Sequence, residues 1–245
     1  IRRVCVKNHD AAERSIKLYF AHQFEIYKSH GSDTAYFDPI SHSIIHYKGR
    51  RVFLINATLD DEPFQDYACG RMNFQGKEGS HKDAEDGALS KNPIEHGPAD
   101  SVIGVYGRYG AGETHVAHYW VAAAEFIQDA QELNEYIVKR SAEHLVRNAG
   151  DFWKKWIGTR DFADLPDRHV ALFKRSLMYM RAHVDQDGGI LASLDSDILQ
   201  FALDTYAYIW PRDASYIEQV FARAGDATIG TRSLQFCRPT IKRDW

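Results

Sequence analysis

Hydrophobic and polar residues alternate along the first part of the chain. In residues 14–28 the apolar side chains Ile16, Leu18 and Phe20 share one face of an extended backbone, and Lys17 lies on the other. A period of two is typical of a strand that is buried on one face and exposed on the other. This segment is therefore predicted to be a half-buried strand of an antiparallel sheet.

Similar runs follow further along. Residues 43–56 and 101–123 each combine apolar and β-branched residues with a glycine-containing turn near the middle, a pattern that favours pairs of short strands. Between these runs, residues 75–100 are polar and rich in glycine and proline, which predicts a long surface loop. Residues 1–125 are therefore predicted to form an antiparallel β-sandwich.

The period then changes from two to 3.6. From Phe126 to Trp156 apolar residues recur every three or four positions, interrupted at Ser141, which predicts one long amphipathic helix. A second helix is predicted after Pro166 and a third from about Ala214. Because the strands come first and the helices afterwards, the fold class is α+β with two domains, and not an alternating parallel sheet.

Composition excludes several classes of partner. The formal net charge of −4 offers no overall basic character for nucleic acid, and no apolar run approaches the roughly 20 residues of a membrane helix. We therefore expect neither a nucleic-acid nor a membrane partner. No signal-peptide pattern precedes the first strand, so a cytoplasmic location is favoured, although the chain begins without methionine.

No metal or cofactor site is predicted. Three cysteines, Cys5, Cys69 and Cys237, are too far apart for a zinc motif or a disulfide framework and are expected to be free thiols. His115 and His118 would face opposite sides of a strand, and they have no carboxylates at ligand spacing. The glycine-rich run in residues 104–112 is followed by a strand pattern, whereas a phosphate-binding loop would need a helix.

The densest cluster of aromatic and charged residues is TYAYIWPRDAS, residues 205–215. Tyr206, Tyr208 and Trp210 alternate with smaller or aliphatic residues, so an extended backbone would place the three rings on one face. Arg212 and Asp213 follow Pro211 at the start of the third predicted helix. Flat rings beside a guanidinium and a carboxylate suit a sugar, which has apolar C–H faces and a rim of hydroxyls.

Two structural roles would explain the same residues without a ligand. Alternating aromatic residues often pack in a core, and an aspartate at a helix start is often an N-cap. Spacing alone leaves the sugar site and these structural roles open.

Two motifs carry a resemblance to a known family. DGGILAS followed by DTYAYIWPRDAS resembles the stretch that opens the catalytic domain of glucoamylases, glycoside hydrolase family 15, in particular its bacterial and archaeal branch. SDTAYFDPISHSIIHYKGRRVFLI and GALSKNPIEHGPADSVIGV resemble the β-sandwich domain of that branch. The resemblance implies a super-sandwich over residues 1–125, a linker helix over 126–158, and the first helices of an (α/α)6 catalytic barrel over 159–245.

The resemblance also implies roles for individual residues. Arg212 and Asp213 would hold the hydroxyls of the glucosyl unit that is cleaved, and Trp210 would line that subsite. Tyr206 would lie close to the positive charge that develops at the anomeric carbon. Tyr208 would either form a wall of the site or pack beneath it. The implied partner is an α-glucan or malto-oligosaccharide substrate, with trehalose and dextran left open.

The implied reaction is exo-acting hydrolysis of α-glucosidic bonds with inversion and release of glucose. Its acid and base glutamates would lie downstream of Trp245, so this chain is expected to be the amino-terminal part of a longer enzyme and inactive alone; no catalytic residue is assigned within it. Two alternatives remain. A regulatory scaffold related to the phosphorylase kinase α subunit would keep the barrel without hydrolysis, and the sandwich could be a carbohydrate-binding module.

Overall fold

The computed structural model of the chain describes five segments, which are residues 1–24, 26–28, 31–158, 165–193 and 208–240. The chain divides into two compact units, Ile1–Ala149 and Gly150–Trp245. Within the described residues, the β-strands lie in the first unit and the second unit is mainly helical. The predicted class, α+β with antiparallel sheets, is confirmed.

Two antiparallel sheets form most of the first unit. The strands are β1 Arg2–Lys7, β2 Arg14–Gln23, β3 Asp33–Asp38, β4 Ser43–Lys48, β5 Arg51–Leu59, β6 Glu62–Pro63, β7 Asp66–Arg71, β8 Ile94–Gly97, β9 Ala99–Tyr109 and β10 Thr114–Ala124. The larger sheet has the order β1-β10-β5-β4-β3-β8, with β6 beside β5, and the smaller sheet has the order β2-β9-β7. Consecutive strands are thus distributed between the two sheets.

Apolar side chains from both sheets meet in one core. Ile44 and Ile55, paired across β4 and β5, pack in the same cluster as Ile103 and Val105 of β9, and all four are fully buried. Because successive strand residues point to opposite faces, this core takes every second residue of each strand. Burial of each such side chain contributes about 1.5–3 kcal/mol.

Helix α1, Ile127–Arg140, covers the other face of the larger sheet. Ile45 and Leu54, the sequence neighbours of Ile44 and Ile55, are buried in a second cluster that includes Ala130 of the helix. The sheet is therefore buried on both faces where the helix lies, which explains why β4 and β5 contain consecutive apolar residues.

A buried asparagine attaches α1 to the sheet. Asn134 Oδ1 accepts hydrogen bonds from Trp120 Nε1 at 2.9 Å and from Asn56 Nδ2 at 3.2 Å. All three residues are buried, so both donors depend on this one acceptor in place of water.

Asn134→Ala is expected to destabilise the chain by about 2–6 kcal/mol, because two buried donors lose their acceptor at about 1–3 kcal/mol each. Glu135→Ala, at the exposed position next to it on the same helix, is the matched control and should change stability by less than about 0.5 kcal/mol. Urea denaturation of the two variants provides the measurement. Equal stability of both variants would contradict this account of α1.

The second unit is built from helices. Among its described residues the helices are α2 Ala142–Gly158, which begins in the first unit, α3 Asp167–Ala182, α4 Pro211–Arg223 and α5 Thr228–Cys237. Leu177 of α3, Phe221 of α4 and Ile229 of α5 are buried in one cluster. Among the described residues, no helix combines the length and apolar character needed to cross a lipid bilayer.

The predicted linker helix is two helices in the structure. Ser141 follows α1 with φ 68° and ψ 130°, and α2 begins at the next residue. A non-glycine residue with positive φ cannot continue an α-helix, so the direction of the chain changes there. The sequence showed only a missing apolar residue at this position, which is a weak signal for a break.

Two features of the first unit also differ from the sequence predictions. The predicted loop over residues 75–100 contains β8 and the first residues of β9, together with a 3₁₀ helix at Ser80–Asp86. The strands that flank the glycine-rich turn, β9 and β10, lie in different sheets and do not form a hairpin. Because β8 pairs with β3, which is far away in sequence, no local pattern identified it as a strand.

Candidate functional site

Two short segments meet beside the start of α4. Leu191 pairs with Ile209 in an isolated antiparallel bridge, and the N–H of Ala192 donates to the carbonyl of Tyr208 at 2.9 Å. The DGGILAS and YIWPRD stretches therefore lie side by side. The two parts of the motif recognised in the sequence form one local structure.

The first turn of α4 presents the charged residues of the motif. Trp210 precedes the helix with an extended backbone, φ −105° and ψ 110°, and Pro211 is the first helical residue. Proline suits this position because its missing N–H would have no partner within the helix. Asp213 lies in the first turn, and no side chain caps the helix at its N-cap position. Asp213 is therefore not the N-cap of α4, a structural role that the sequence had left open.

The rings of Tyr208 and Trp210 are half exposed, at 49% and 47% of their full accessibility. Their centroids are 6.4 Å apart and the ring planes meet at 86°. Ile209, between them, is less exposed and its Cδ1 lies over Gly189, only 2.8 Å from where a Cβ on that glycine would stand. These two rings are therefore at the surface, and core packing does not explain their alternation.

Arg212 and Asp213 are also accessible. Their side chains are 82% and 50% exposed, and Arg212 Nη2 lies 3.8 Å from Asp213 Oδ1. An ion pair this exposed contributes little to stability, so stability alone does not account for the pair. The carboxylate stands at a helix N-terminus, where the helix dipole favours negative charge.

One predicted site residue cannot be placed. Tyr206 lies outside the described residues. The four that are described, Tyr208, Trp210, Arg212 and Asp213, follow one another within six positions. Together they offer two aromatic faces, a planar donor group and a carboxylate acceptor, which are the groups that a sugar ring and its hydroxyls require.

The turn that precedes the site requires glycine. Gly188 has a φ of 99°, and a Cβ there would stand 2.6 Å from the main-chain carbon and oxygen of Arg232. Gly225 also has positive φ, 84°, but no described atom lies within 4 Å of the Cβ position. The two glycines share a backbone requirement and differ in their surroundings.

Gly188→Ala is expected to destabilise the second unit by about 3 kcal/mol or more, because backbone strain and a main-chain clash add. Gly225→Ala should cost about 1 kcal/mol, from strain alone. Thermal unfolding of the two variants compares them. A similar loss in both would show that the contact with Arg232 has no energetic weight.

Sequence reasoning missed Asp185. No role was predicted for this aspartate, which lies shortly before Gly188 and Gly189 in the chain. An aspartate shortly before glycine is a known turn signal, because its side chain can accept main-chain hydrogen bonds. In the structure Asp185 Oδ1 accepts two such bonds.

The histidines considered for metal binding have other partners. The side chain of His115 hydrogen-bonds the Asp60 carboxylate, which raises the pKa of His115 above its ordinary value. His118 Nε2 lies 3.0 Å from Glu143 Oε2. In the part of the chain that the structure describes, no group of three or more histidine, cysteine, aspartate or glutamate residues is arranged to hold a metal ion.

Comparison with known proteins begins with sequence. No protein-family model matches the chain. A Methanocaldococcus jannaschii protein described as an uncharacterized glycosyl hydrolase is 26% identical over 246 residues, which cover 96% of this chain and 38% of that protein. The chain thus spans well under half the length of this curated relative.

Comparison of structures adds the fold. A crystal structure of a bacterial glucoamylase complexed with acarbose matches 92% of this chain and 33% of its own, with a TM-score of 0.69 and 17% sequence identity. The resemblance predicted from the sequence is therefore confirmed: this chain resembles bacterial glucoamylase and has its fold over about a third of that enzyme's length.

Proposed function

We propose that this chain supplies the sugar-binding entrance of a glycoside hydrolase of the glucoamylase type. The observation that carries the proposal is the surface cluster of Tyr208, Trp210, Arg212 and Asp213. Its rings are half exposed and its carboxylate caps no helix. Structural roles explain these side chains poorly, and a sugar ligand explains all of them.

Each residue has a role in the proposed site. Arg212 and Asp213 hold hydroxyl groups of the terminal glucosyl unit through charge-assisted hydrogen bonds. Trp210 covers an apolar face of the sugar, and Tyr208 forms the adjacent wall. Tyr206 is proposed to stabilise positive charge at the anomeric carbon. The proposal for Tyr206 rests on the sequence motif alone.

The proposed reaction is removal of glucose from the ends of α-glucans or malto-oligosaccharides with inversion at the anomeric carbon. An inverting enzyme needs a general acid and a general base on opposite sides of the bond. We propose that these are glutamates downstream of Trp245, in an (α/α)6 barrel whose first helices lie in residues 159–245. Residues 1–125 would then form the sandwich domain and 126–158 the linker.

The experiment is hydrolysis of maltose, maltotriose and trehalose by the complete protein, with the anomer of the released glucose identified by NMR. Initial release of β-glucose from maltose supports inversion, and initial release of α-glucose contradicts it. Residues 1–245 alone are the control and should release nothing. Sugar binding without hydrolysis by the complete protein would favour a carbohydrate-binding role, and absence of both would favour a regulatory scaffold.

A further inference from the structure

A tight turn closed by an aspartate joins α3 to the segment beside the candidate site. Asp185 Oδ1 accepts hydrogen bonds from the main-chain N–H of Asp187 at 2.9 Å and of Gly189 at 2.7 Å. The N–H of Asp185 donates to the carbonyl of Gly189 at 2.9 Å. Side chain and main chain of one residue thus hold both ends of the turn.

The surroundings leave this turn little freedom. The main chain of Arg232 in α5 occupies the space beside Gly188, and the Arg232 guanidinium donates to the carbonyl of Gln186. A Cβ on Gly189 would stand 2.8 Å from both Asp185 Oδ2 and Ile209 Cδ1. The Asp185 carboxylate and Ile209 therefore approach the same α-carbon.

The turn leads directly to the sugar-binding residues. Val184 and Ile190, on either side of the turn, pair with each other and are buried. The next residue, Leu191, pairs with Ile209, and the motif residues Trp210 to Asp213 follow Ile209 immediately. A shift of the turn would therefore move the extended segment of residues 208–210, which carries the rings, and the first turn of α4.

We propose that Asp185 is the positioning residue of the sugar-binding cluster. Its carboxylate fixes the conformation of the turn through two main-chain hydrogen bonds. The turn determines which residue Leu191 pairs with, and its pairing with Ile209 determines the position of Trp210 and Asp213. Asp185 acts through the main chain and needs no contact with the sugar. This inference rests on the proposed function, and it adds a residue that the motif itself does not include.

The test uses acarbose binding by the complete protein, measured by calorimetry, and kcat/KM for maltose. Asp185→Ala is expected to weaken both by about tenfold or more, since small displacements in a binding site cost this much or more. Asp185→Asn keeps an oxygen acceptor at the same place and should remain within about twofold of wild type. Asp185→Glu keeps the charge, displaces the acceptor and should resemble alanine.

A matched control and a double variant separate positioning from general stability. Asp187→Ala, at an exposed position of the same turn that contributes its main-chain N–H, should bind as wild type does. In an Asp213→Ala background, Asp185→Ala should reduce binding by a smaller factor than it does in the wild-type background, because one of the groups it positions is already absent. Additive losses would overturn the proposal.

The remaining outcomes also support or overturn the positioning role of Asp185. If Asp185→Ala does not fold, the asparagine and glutamate variants carry the comparison, and equal binding by these two overturns the proposal. If wild type binds acarbose and Asp185→Ala binds it equally well, the positioning role is overturned but the proposed function is not. A wild-type protein that neither binds acarbose nor releases glucose overturns the proposed function, and the inference with it.

Discussion

Asp213→Ala in the complete protein is expected to lower kcat/KM for maltose by about 100- to 1000-fold, the cost of removing one preorganised polar group from an active site. The carboxylate stands on the first turn of α4, and Ala214 and Phe221 of the same helix are buried in the core of the unit. It is therefore held in place before a sugar binds. Alanine leaves the sugar hydroxyls without this charged acceptor.

Asp167→Ala is the matched control for this variant. Asp167 is also an exposed aspartate in the first turn of a helix, α3, so its loss removes a similar helix-dipole contribution of about 0.3–1 kcal/mol. Its kcat/KM should equal that of wild type. Equal activity of Asp213→Ala and wild type would exclude Asp213 from the sugar site, and equal losses in both variants would indicate a stability effect.

Mild acid is expected to destabilise the first unit through two buried histidines. The Ser101 hydroxyl lies between His22 Nδ1, at 3.1 Å, and His46 Nε2, at 2.8 Å. The rings also contact Tyr119 and Phe24. The pKa of both His22 and His46 is lowered from 6.5 to about 3, chiefly by burial and, for His46, also by the nearby His22.

As the pH falls, the unfolded state binds protons at these histidines before the folded state does, so acid lowers the free energy of unfolding. Both histidines are neutral when folded and become protonated near pH 6.5 when unfolded. Their contribution is therefore complete above pH 6.5 and is lost progressively as the pH falls toward 3. At about pH 5 the loss amounts to about 2 kcal/mol for each histidine. Carboxylates with lowered pKa values, such as Asp38 and Glu143, add losses only at lower pH.

Urea denaturation at pH 7 and pH 5, followed by circular dichroism, measures this effect. His46→Gln keeps a polar side chain that cannot titrate, so its midpoint should change less between the two pH values, although it starts lower at pH 7. His9→Gln, at an exposed position after β1, should keep the full pH dependence of wild type. If all three proteins show the same dependence, the buried histidines are not its source.

Sequence predicted the broad organisation because strand and helix periods are local properties. The alternation predicted over residues 14–28 corresponds to β2, although the strand ends at Gln23 and Ile26–Lys28 form a 3₁₀ helix. The helices predicted after Pro166 and near Ala214 correspond to α3 and α4. The start of α4 at Pro211 lies three residues earlier than predicted. A proline can either end an extended segment or occupy the first position of a helix, so its place in the sequence does not fix the boundary.

At the candidate site, too, the local features could be predicted from the sequence and the spatial ones could not. The motif residues and their order were readable, and the resemblance to glucoamylase came from them. Whether Trp210 packs in a core and whether Asp213 caps α4 depended on what else lies nearby in space. The role proposed for Asp185 depends on the pairing of Leu191 with Ile209, which are distant in the chain, so no signal in the sequence pointed to it.

By itself, the sequence determined the order of a strand-rich part and a helical part, and the place of the motif that we propose binds sugar. Tertiary structure decided which sheet each strand joins, as β9 and β10 demonstrate, and that the linker breaks at Ser141. It also decided that Trp210 and Asp213 face outward. The physical reason is that period and motif are local, whereas pairing and exposure depend on contacts between residues distant in the chain.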